Sequence, residues 1–540
     1  MLRLLLAGAS LLLVAAACTP ERGSVVQVRD GGTLIIASPG DADLLLAPVA
    51  GTQLANHVAD RIFPRLAELT LALNTVEDSG FVPGIARSWE HRDSLTIVFH
   101  LDPRARWQDG VPITADDVVY TFEVYRDSLT GSPYRVNLDP IASVTREDSL
   151  TVVFRFRRRY PEQLYDATYH MRIIPKHVLD SIPHEQLASS AFAKDPTIGA
   201  GPWRFAHWES GAEIEVEADT TWFLGRPHLA RIVWRVMPDV SAAVSALLAG
   251  EADAMEVIPQ KDELERARRA ADLTLIPYPS PFLAGIAFNL RRPLFADREL
   301  RRAIALLFDR ETIVQSVFGA VAEVPIGSVS RMVWVAGAPV RPVAWDTATA
   351  AHLLDSLGWR RGDDGIRRRA GRRLTFTVLV PTSSQSRQHA AVIAQQQLRL
   401  GGVDLQVQPV EYAVFGDRGH RGDFDALFFS WTLDPSPAFL GQFWGSRAIG
   451  GDNVSGYASP AFDSLFAAAL AAPGRAEALP RWQAVLERLN DDAPAVFLFS
   501  LRNNAAIHSR FEHVTIRPDS WLATVATWSV APDRRLPRDR

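Results

Sequence analysis

Apolar residues along this chain switch repeatedly between a period of two and a period near 3.6, which limits it to a layered α/β architecture. Leu95, Ile97, Phe99 and Leu101 alternate as a half-buried strand does, and so do Leu150, Val152, Phe154 and Phe156. Both runs open on Asp-Ser-Leu-Thr (Asp93 to Thr96 and Asp148 to Thr151), which makes them candidate neighbours in one sheet. Between them Thr114 and Asp117 form a capping-box variant, and Val118, Phe122 and Tyr125 mark one face of the helix that follows. Val244, Leu247 and Leu248 lie on one side of a helix that starts near Ser241 and that Gly250 stops. Another helix runs through Leu300, Ile304, Leu307 and Phe308. A strand at Leu374 to Val380, a helix around Ala390 to Leu400 closed by Gly401 and Gly402, and the strand-like Val403 to Val407 make one strand–helix–strand unit. Ser459 caps a helix with Pro460 at its first position and Phe462, Leu465, Phe466 and Ala469 inward.

At 540 residues the chain exceeds one ordinary core and implies two or three domains. Its first residues read as an export signal: Arg3, an apolar run from Leu4 to Ala17, then small residues up to Cys18. That run is shorter than the roughly 20 residues needed to span a bilayer. A cysteine directly after small residues resembles a bacterial lipobox, so residues 1–17 are expected to be removed and Cys18 lipidated. Residues 18–30, polar and containing Pro20 and Gly23, then read as a tether. Cys18 is the only cysteine, which excludes an internal disulfide. A formal charge of −5 gives no footprint for nucleic acid, and no later segment has the length and apolarity of a membrane span. The expected location is the periplasm or cell envelope, with the membrane touched through the lipid anchor only.

Residues Phe81 to Thr121 are the most specific stretch. Phe-Val-Pro-Gly-Ile-Ala-Arg-Ser-Trp-Glu begins at Phe81, and Arg106-Trp107-Gln108-Asp109-Gly110-Val111-Pro112-Ile113-Thr114-Ala115-Asp116-Asp117-Val118 follows. Asp109-Gly110 makes a turn, Pro112 stiffens the exit and Thr114 starts a helix. Further blocks come in a fixed order: Gly199-Ala200-Gly201-Pro202-Trp203, Gly250-Glu251-Ala252-Asp253-Ala254, Phe288-Asn289 with Pro293-Leu294-Phe295, and Asn453 with Gly456-Tyr457. Together they resemble the extracellular solute-binding proteins of the dipeptide, oligopeptide and nickel group (family 5) that serve ABC importers.

The resemblance implies a two-lobed periplasmic-binding-protein fold (type II) of the large class with an extra domain on the first lobe. On that pattern residues 31–60, 199–283 and 503–540 form the first-lobe core. Residues 61–198 form the extra domain, and 284–502 the second lobe. It also implies a monomer that works with a permease and two ATPase subunits and captures a peptide or other small solute by hinge closure.

A peptide enclosed in such a cleft needs a carboxylate for its ammonium and a cation for its carboxylate, because a buried unpaired charge is heavily penalised. The family's Trp-x-x-Asp segment falls here on Phe429-Ser430-Trp431-Thr432-Leu433-Asp434-Pro435. The resemblance therefore places Asp434 at the peptide amino terminus, with Trp431 and Ser430 beside it. The family's Tyr-Pro-Asp-Pro continuation is absent. For the carboxylate clamp the candidates are Arg387, after the polar loop Thr382 to Ser386, and Arg418 or Arg421. Trp203, Trp208, Trp222 and Trp234 are expected to pack in a core or at sheet edges. The basic run Arg367 to Arg373 reads as an exposed hairpin.

An exported hydrolase is the alternative from another class, yet the chain has no Gly-x-Ser-x-Gly elbow, no His-Glu-x-x-His and no phosphate-cradling loop. No catalytic residue, metal site or cofactor is assigned. A same-fold binder of a nickel chelate, haem or sugar with a sensing role stays open at this stage.

Overall fold

The computed structural model describes residues 30–539; the expected export signal and Cys18 lie outside them. One mixed sheet of eleven strands runs through the molecule. Its centre is an antiparallel pair of unusually long strands, Leu273–Phe288 and Ala495–His508. On the outer side of Ala495–His508 the sheet continues through Ala254–Met255, Thr33–Ser38, Arg231–Val236, Glu213–Ala218 and Trp203–Glu209. On the outer side of Leu273–Phe288 it continues through Ala426–Thr432, Thr375–Pro381 and Asp404–Val410. The long pair is thus shared by two half-sheets: one buried core spans both, with Ile35 and Val233 of one half and Phe376 and Phe428 of the other, and a second lies on the first half alone.

Proline spacing explains where one half ends. Pro277, Pro279 and Pro281 recur at every second residue, so their missing N–H groups face one edge. No strand pairs with that edge until Phe282 meets Thr432. The register against Ala495–His508 also slips between Pro279 and Leu283, where Ser500 Oγ donates to Phe282 O at 2.7 Å. The two strands cross from one half to the other at this irregularity.

Residues Ala86–Asp93, Thr96–Leu101, Ile141–Asp148 and Thr151–Phe156 form a separate four-stranded antiparallel sheet. The two Asp-Ser-Leu-Thr runs are neighbours as expected, pairing Thr96 with Arg155 through His100 with Thr151. Their strands begin at Thr96 and Thr151, three residues after the Asp-Ser-Leu-Thr openings start. Asp93 Oδ1 and Asp148 Oδ1 accept from the backbone N–H groups of Leu95 and Leu150 at 2.7 and 2.8 Å, holding Asp-Ser-Leu as a hairpin turn. Nor are the strands half-buried: Val98 and Val153, in register with each other at the centre of the sheet, are buried as well. The Thr114–Asp117 capping box is complete and starts the helix Ala115–Arg126.

The Gly199-Ala200-Gly201 block lies against the end of the helix Gln53–Ile62. Ala200 N and Gly201 N both donate to Ile62 O, at 3.0 and 2.7 Å. A Cβ on Gly201 would stand 2.1 Å from Arg61 O, so only glycine permits this approach. The Gly-Glu-x-Asp block anchors the chain's last described residues. Asp253, wholly buried, accepts from Ile35 N at 2.9 Å, Arg510 Nε at 3.0 Å and Arg538 at 2.7 Å. Arg367 to Arg373 does form a hairpin, turning through Ala370 and Gly371 at positive φ. Arg367 itself is an exception to the expected exposure. It is buried, with its guanidinium on Asp355, Trp359 O and Gly401 O. Trp203 and Trp234 sit in the core, and Trp208 donates to Asp41 Oδ1 at 3.1 Å.

Candidate functional site

The strand Ala426–Thr432 buries Ala426 to Phe429 in its half-sheet and then runs into Asp434-Pro435-Ser436-Pro437. Pro435 and Pro437, two positions apart, prevent strand or helix from continuing, so the segment turns outward. Asp434 Oδ1 accepts from Ser436 N at 3.1 Å, which holds the turn. The same oxygen accepts from the hydroxyl of Tyr165, on the short helix Gln163–Thr168 that follows the four-stranded sheet. This contact joins parts of the chain 269 residues apart.

Around it lies a polar seam between the two sides. Glu162, only 5% exposed, accepts from Thr75 Oγ1 on one side and from Ser436 Oγ, at 2.7 Å, on the other. Thr75 Oγ1 in turn accepts from Trp334 Nε1 at 3.1 Å. Asp166 accepts from Tyr160 at 2.5 Å. Tyr165 stacks on Tyr169 with ring centres 4.8 Å apart, and His170 meets both edge-on. Among the described residues, the side-chain partners of these three carboxylates are all hydroxyls; none is a lysine or arginine.

The electrostatic consequence is direct. Burial, with Asp434 adding repulsion against the Thr75 and Ser436 hydrogen bonds, pushes Glu162 up to about 7. Burial, with Glu162 and Asp434 adding repulsion, raises Asp166 well above the usual carboxylate range. Burial lowers His170, so the ring beside them is held neutral. Below this layer the balance reverses. Burial would raise Asp60, but Arg172, Arg65 and Arg61 overcome it and hold that carboxyl well below its usual range. The lower layer is a compensated ion network; the upper one is an acidic layer with no ion pair among the described residues, where Arg158 acts on Asp166 only through its charge.

Residues 80–451 match the family model of the bacterial extracellular solute-binding proteins, family 5 (middle region). The chain belongs to this family. It is 26% identical to the oligopeptide-binding protein AppA of Bacillus subtilis over 514 residues, covering 93% of this chain and 92% of that protein. The structure of AppA in complex with a nonapeptide superposes with a TM-score of 0.75 at 25% identity, over 94% of this chain and 100% of AppA. The substrate-binding protein CtaP of Listeria monocytogenes superposes with a TM-score of 0.80 at 24% identity, over 93% and 100% of the two chains. The α/β fold is the two-lobed fold of this family, and the acidic layer lies between the segment Glu162 to His170 and the turn that follows Ala426–Thr432.

Within this family-5 fold the expected residues have unequal positions. Asp434 lies at the meeting of the lobes. Ser430 is half-buried in the strand that leads to it. Trp431 is sandwiched: Phe429 covers one face of its indole and Phe443 the other, each with centroids 4.0 Å away. Neither face is free to stack on a solute. Arg387 is 8% exposed at the start of the helix Gln385–Leu400, donating to Phe428 O at 3.2 Å, and burial lowers its pKa. Its donors are thus partly spent on the second-lobe backbone. Arg418 and Arg421 pair with Asp423 and Asp417 on the helix Tyr412–Arg421, which makes them salt-bridged surface residues rather than clamps.

Sequence reasoning did not reach Glu162, Tyr165, Asp166, Thr75 or Trp334. The run Tyr160 to His170, with four aromatic or imidazole rings and two acids in eleven residues, was the available signal. Among the described residues no helix is long and apolar enough to cross a membrane.

Proposed function

We propose that the chain binds a short peptide or peptide-like solute between its lobes, without chemistry on it, and presents it to an ABC permease with two ATPase subunits. The observation that carries this reading is Asp434: a carboxylate whose partners are a tyrosine hydroxyl and a backbone N–H, with no lysine or arginine paired to it among the described residues. A peptide ammonium supplies the missing charge and three donors in one group. Similarity to AppA and to the peptide transport periplasmic protein SapA of Salmonella typhimurium, 25% identical over 503 residues, supports the solute class. The hinge is the irregular crossing at Ser280 to Phe282 opposite Ser500 and Leu501, where prolines leave one edge unpaired. On this reading the lobes are residues 31–60, 199–283 and 503–540 with 61–198 on one side, and 284–502 on the other. The protein acts as a monomer at the cell envelope, held there by lipidated Cys18.

Native mass spectrometry of the signal-free protein, before and after denaturation, tests the reading. A co-purifying set of short peptides lost on denaturation is expected. A single non-peptide mass, or an empty protein that no peptide pool stabilises against heat, overturns it.

A further inference from the structure

A cavity of about 330 Å³ opens at the same junction of the lobes, beside the polar seam. Leu71 and Leu73 wall it from the first-lobe side, and Met332 and Trp334 from the second. Its only charged lining residues are Arg331 and Arg475; no acidic residue lines it. Trp334 is fixed by its hydrogen bond to Thr75, and the Arg475 guanidinium lies 5.4 Å over its ring. The Arg475 backbone N–H donates to Glu77 Oε1 at 2.8 Å, which sets the start of the helix Arg475–Asp492. Among the described residues no carboxylate forms a salt bridge with that guanidinium. Arg331 pairs with Glu323 at 3.1 Å, but Glu323 also serves Arg502 at 2.7 Å, so one carboxylate is shared by two cations. The charged side chains of the lining are therefore both cationic and its other side chains are apolar, while the surface turned to the cavity is mostly polar.

The seam leads from this cavity to the acidic layer: Trp334 to Thr75, Thr75 to Glu162, Glu162 to Ser436, and Ser436 to Asp434. The junction is thus polarised, with unpaired carboxylates at one end and an unpaired guanidinium at the other. We infer that Arg475, assisted by Arg331, is the carboxylate clamp, and that the cavity takes the C-terminal residue of a short peptide whose last side chain is apolar. The volume is near the lower limit of ligand pockets, about 300 Å³, which suits one terminal residue rather than a long bound chain. This assignment rests on the peptide reading above and displaces Arg387 as clamp.

The test is calorimetry on the signal-free chain with tri- to pentapeptides ending in leucine, each as free acid and as C-terminal amide. For the wild type, amidation is expected to weaken binding by about tenfold to a hundredfold, the range of one charge-assisted contact. Arg475→Gln should weaken the free acid by the same factor and leave the amide unchanged, while Arg475→Lys, which keeps the charge, recovers part of the loss. Equal binding of acid and amide to the wild type, or an equal loss of both in Arg475→Gln, overturns the clamp and leaves peptide capture standing. Failure of every peptide to bind the wild type overturns peptide capture itself, and the clamp with it.

Discussion

Replacing Glu162 by glutamine tests whether the acidic layer opposes closure of an empty cleft. Glu162 receives one hydroxyl from each lobe, so opening the cleft returns its carboxyl to water. Its pKa then falls from about 7 to the ordinary 4.5, a difference worth about 3 kcal/mol at roughly 1.4 kcal/mol per unit. The sign follows from which form holds the proton more tightly. Below pH 4.5 both forms are protonated and there is no penalty. As pH rises from 4.5 to about 7 the open form ionises first, and closure becomes progressively less favourable. Above 7 the full penalty applies. Glutamine cannot ionise, and its amide can still accept from one hydroxyl and donate to the other. Small-angle scattering of the empty protein is therefore expected to show the wild type compacting as pH drops through this window. Glu162→Gln should be more compact at pH 8 and much less pH-dependent, Asp166 supplying what dependence is left. Superimposable pH profiles for the two proteins would refute the reasoning.

Three further outcomes follow from the same geometry. Asp434→Asn should weaken peptides with a free amino terminus at least about tenfold by calorimetry and barely affect their N-acetylated counterparts, since only the former bring a cation. Asp253→Ala takes from buried Arg510 one of its two carboxylates, Asp539 keeping the other, and leaves the buried Ile35 N–H without its acceptor, so denaturant melts should show a loss of about 1–3 kcal/mol. Gly201→Ala drives a methyl into Arg61 O and should cost about 1–3 kcal/mol in the same melts, without a change in peptide selectivity.

The large elements were legible because they answer to local rules. The Thr114–Asp117 box and the Ser459 cap each depend on residues within three or four positions and each formed; the repeated Asp-Ser-Leu-Thr did mark neighbouring strands, although its first three residues are the hairpin turns. Asp434 was reached by motif alone. Its partner Tyr165 lies 269 residues away, and no periodicity links a short helix after one sheet to a turn after another. For Arg387 composition was the only signal. A lone arginine after a polar loop has the composition of a clamp, but its helix packs on Thr375–Pro381 and Asp404–Val410, and its guanidinium donates to Phe428 O. Trp431 likewise kept its place while Phe429 and Phe443 took both its faces. Which donors are already occupied is a property of packing.

The polarity of the seam also bears on how an importer tells full from empty. Had an arginine faced Glu162 and Asp434, as Arg65 and Arg172 face Asp60, the closed form would be satisfied with nothing inside. With hydroxyls in its place, the empty closed form carries carboxylates that are either ionised at a penalty or protonated. Moving a two-state protein from mostly open to mostly closed takes about 5.5 kcal/mol of differential binding. Glu162 accounts for about 3 kcal/mol of the opposing balance at neutral pH, and Asp166 adds to it. A solute ammonium that relieves these groups therefore does more than bind: it removes the term that kept the lobes apart. On the peptide reading proposed above, a neutral solute of the same shape gains the contacts but leaves that term in place, so solutes charged at the amino end are expected to close the protein more readily than neutral ones.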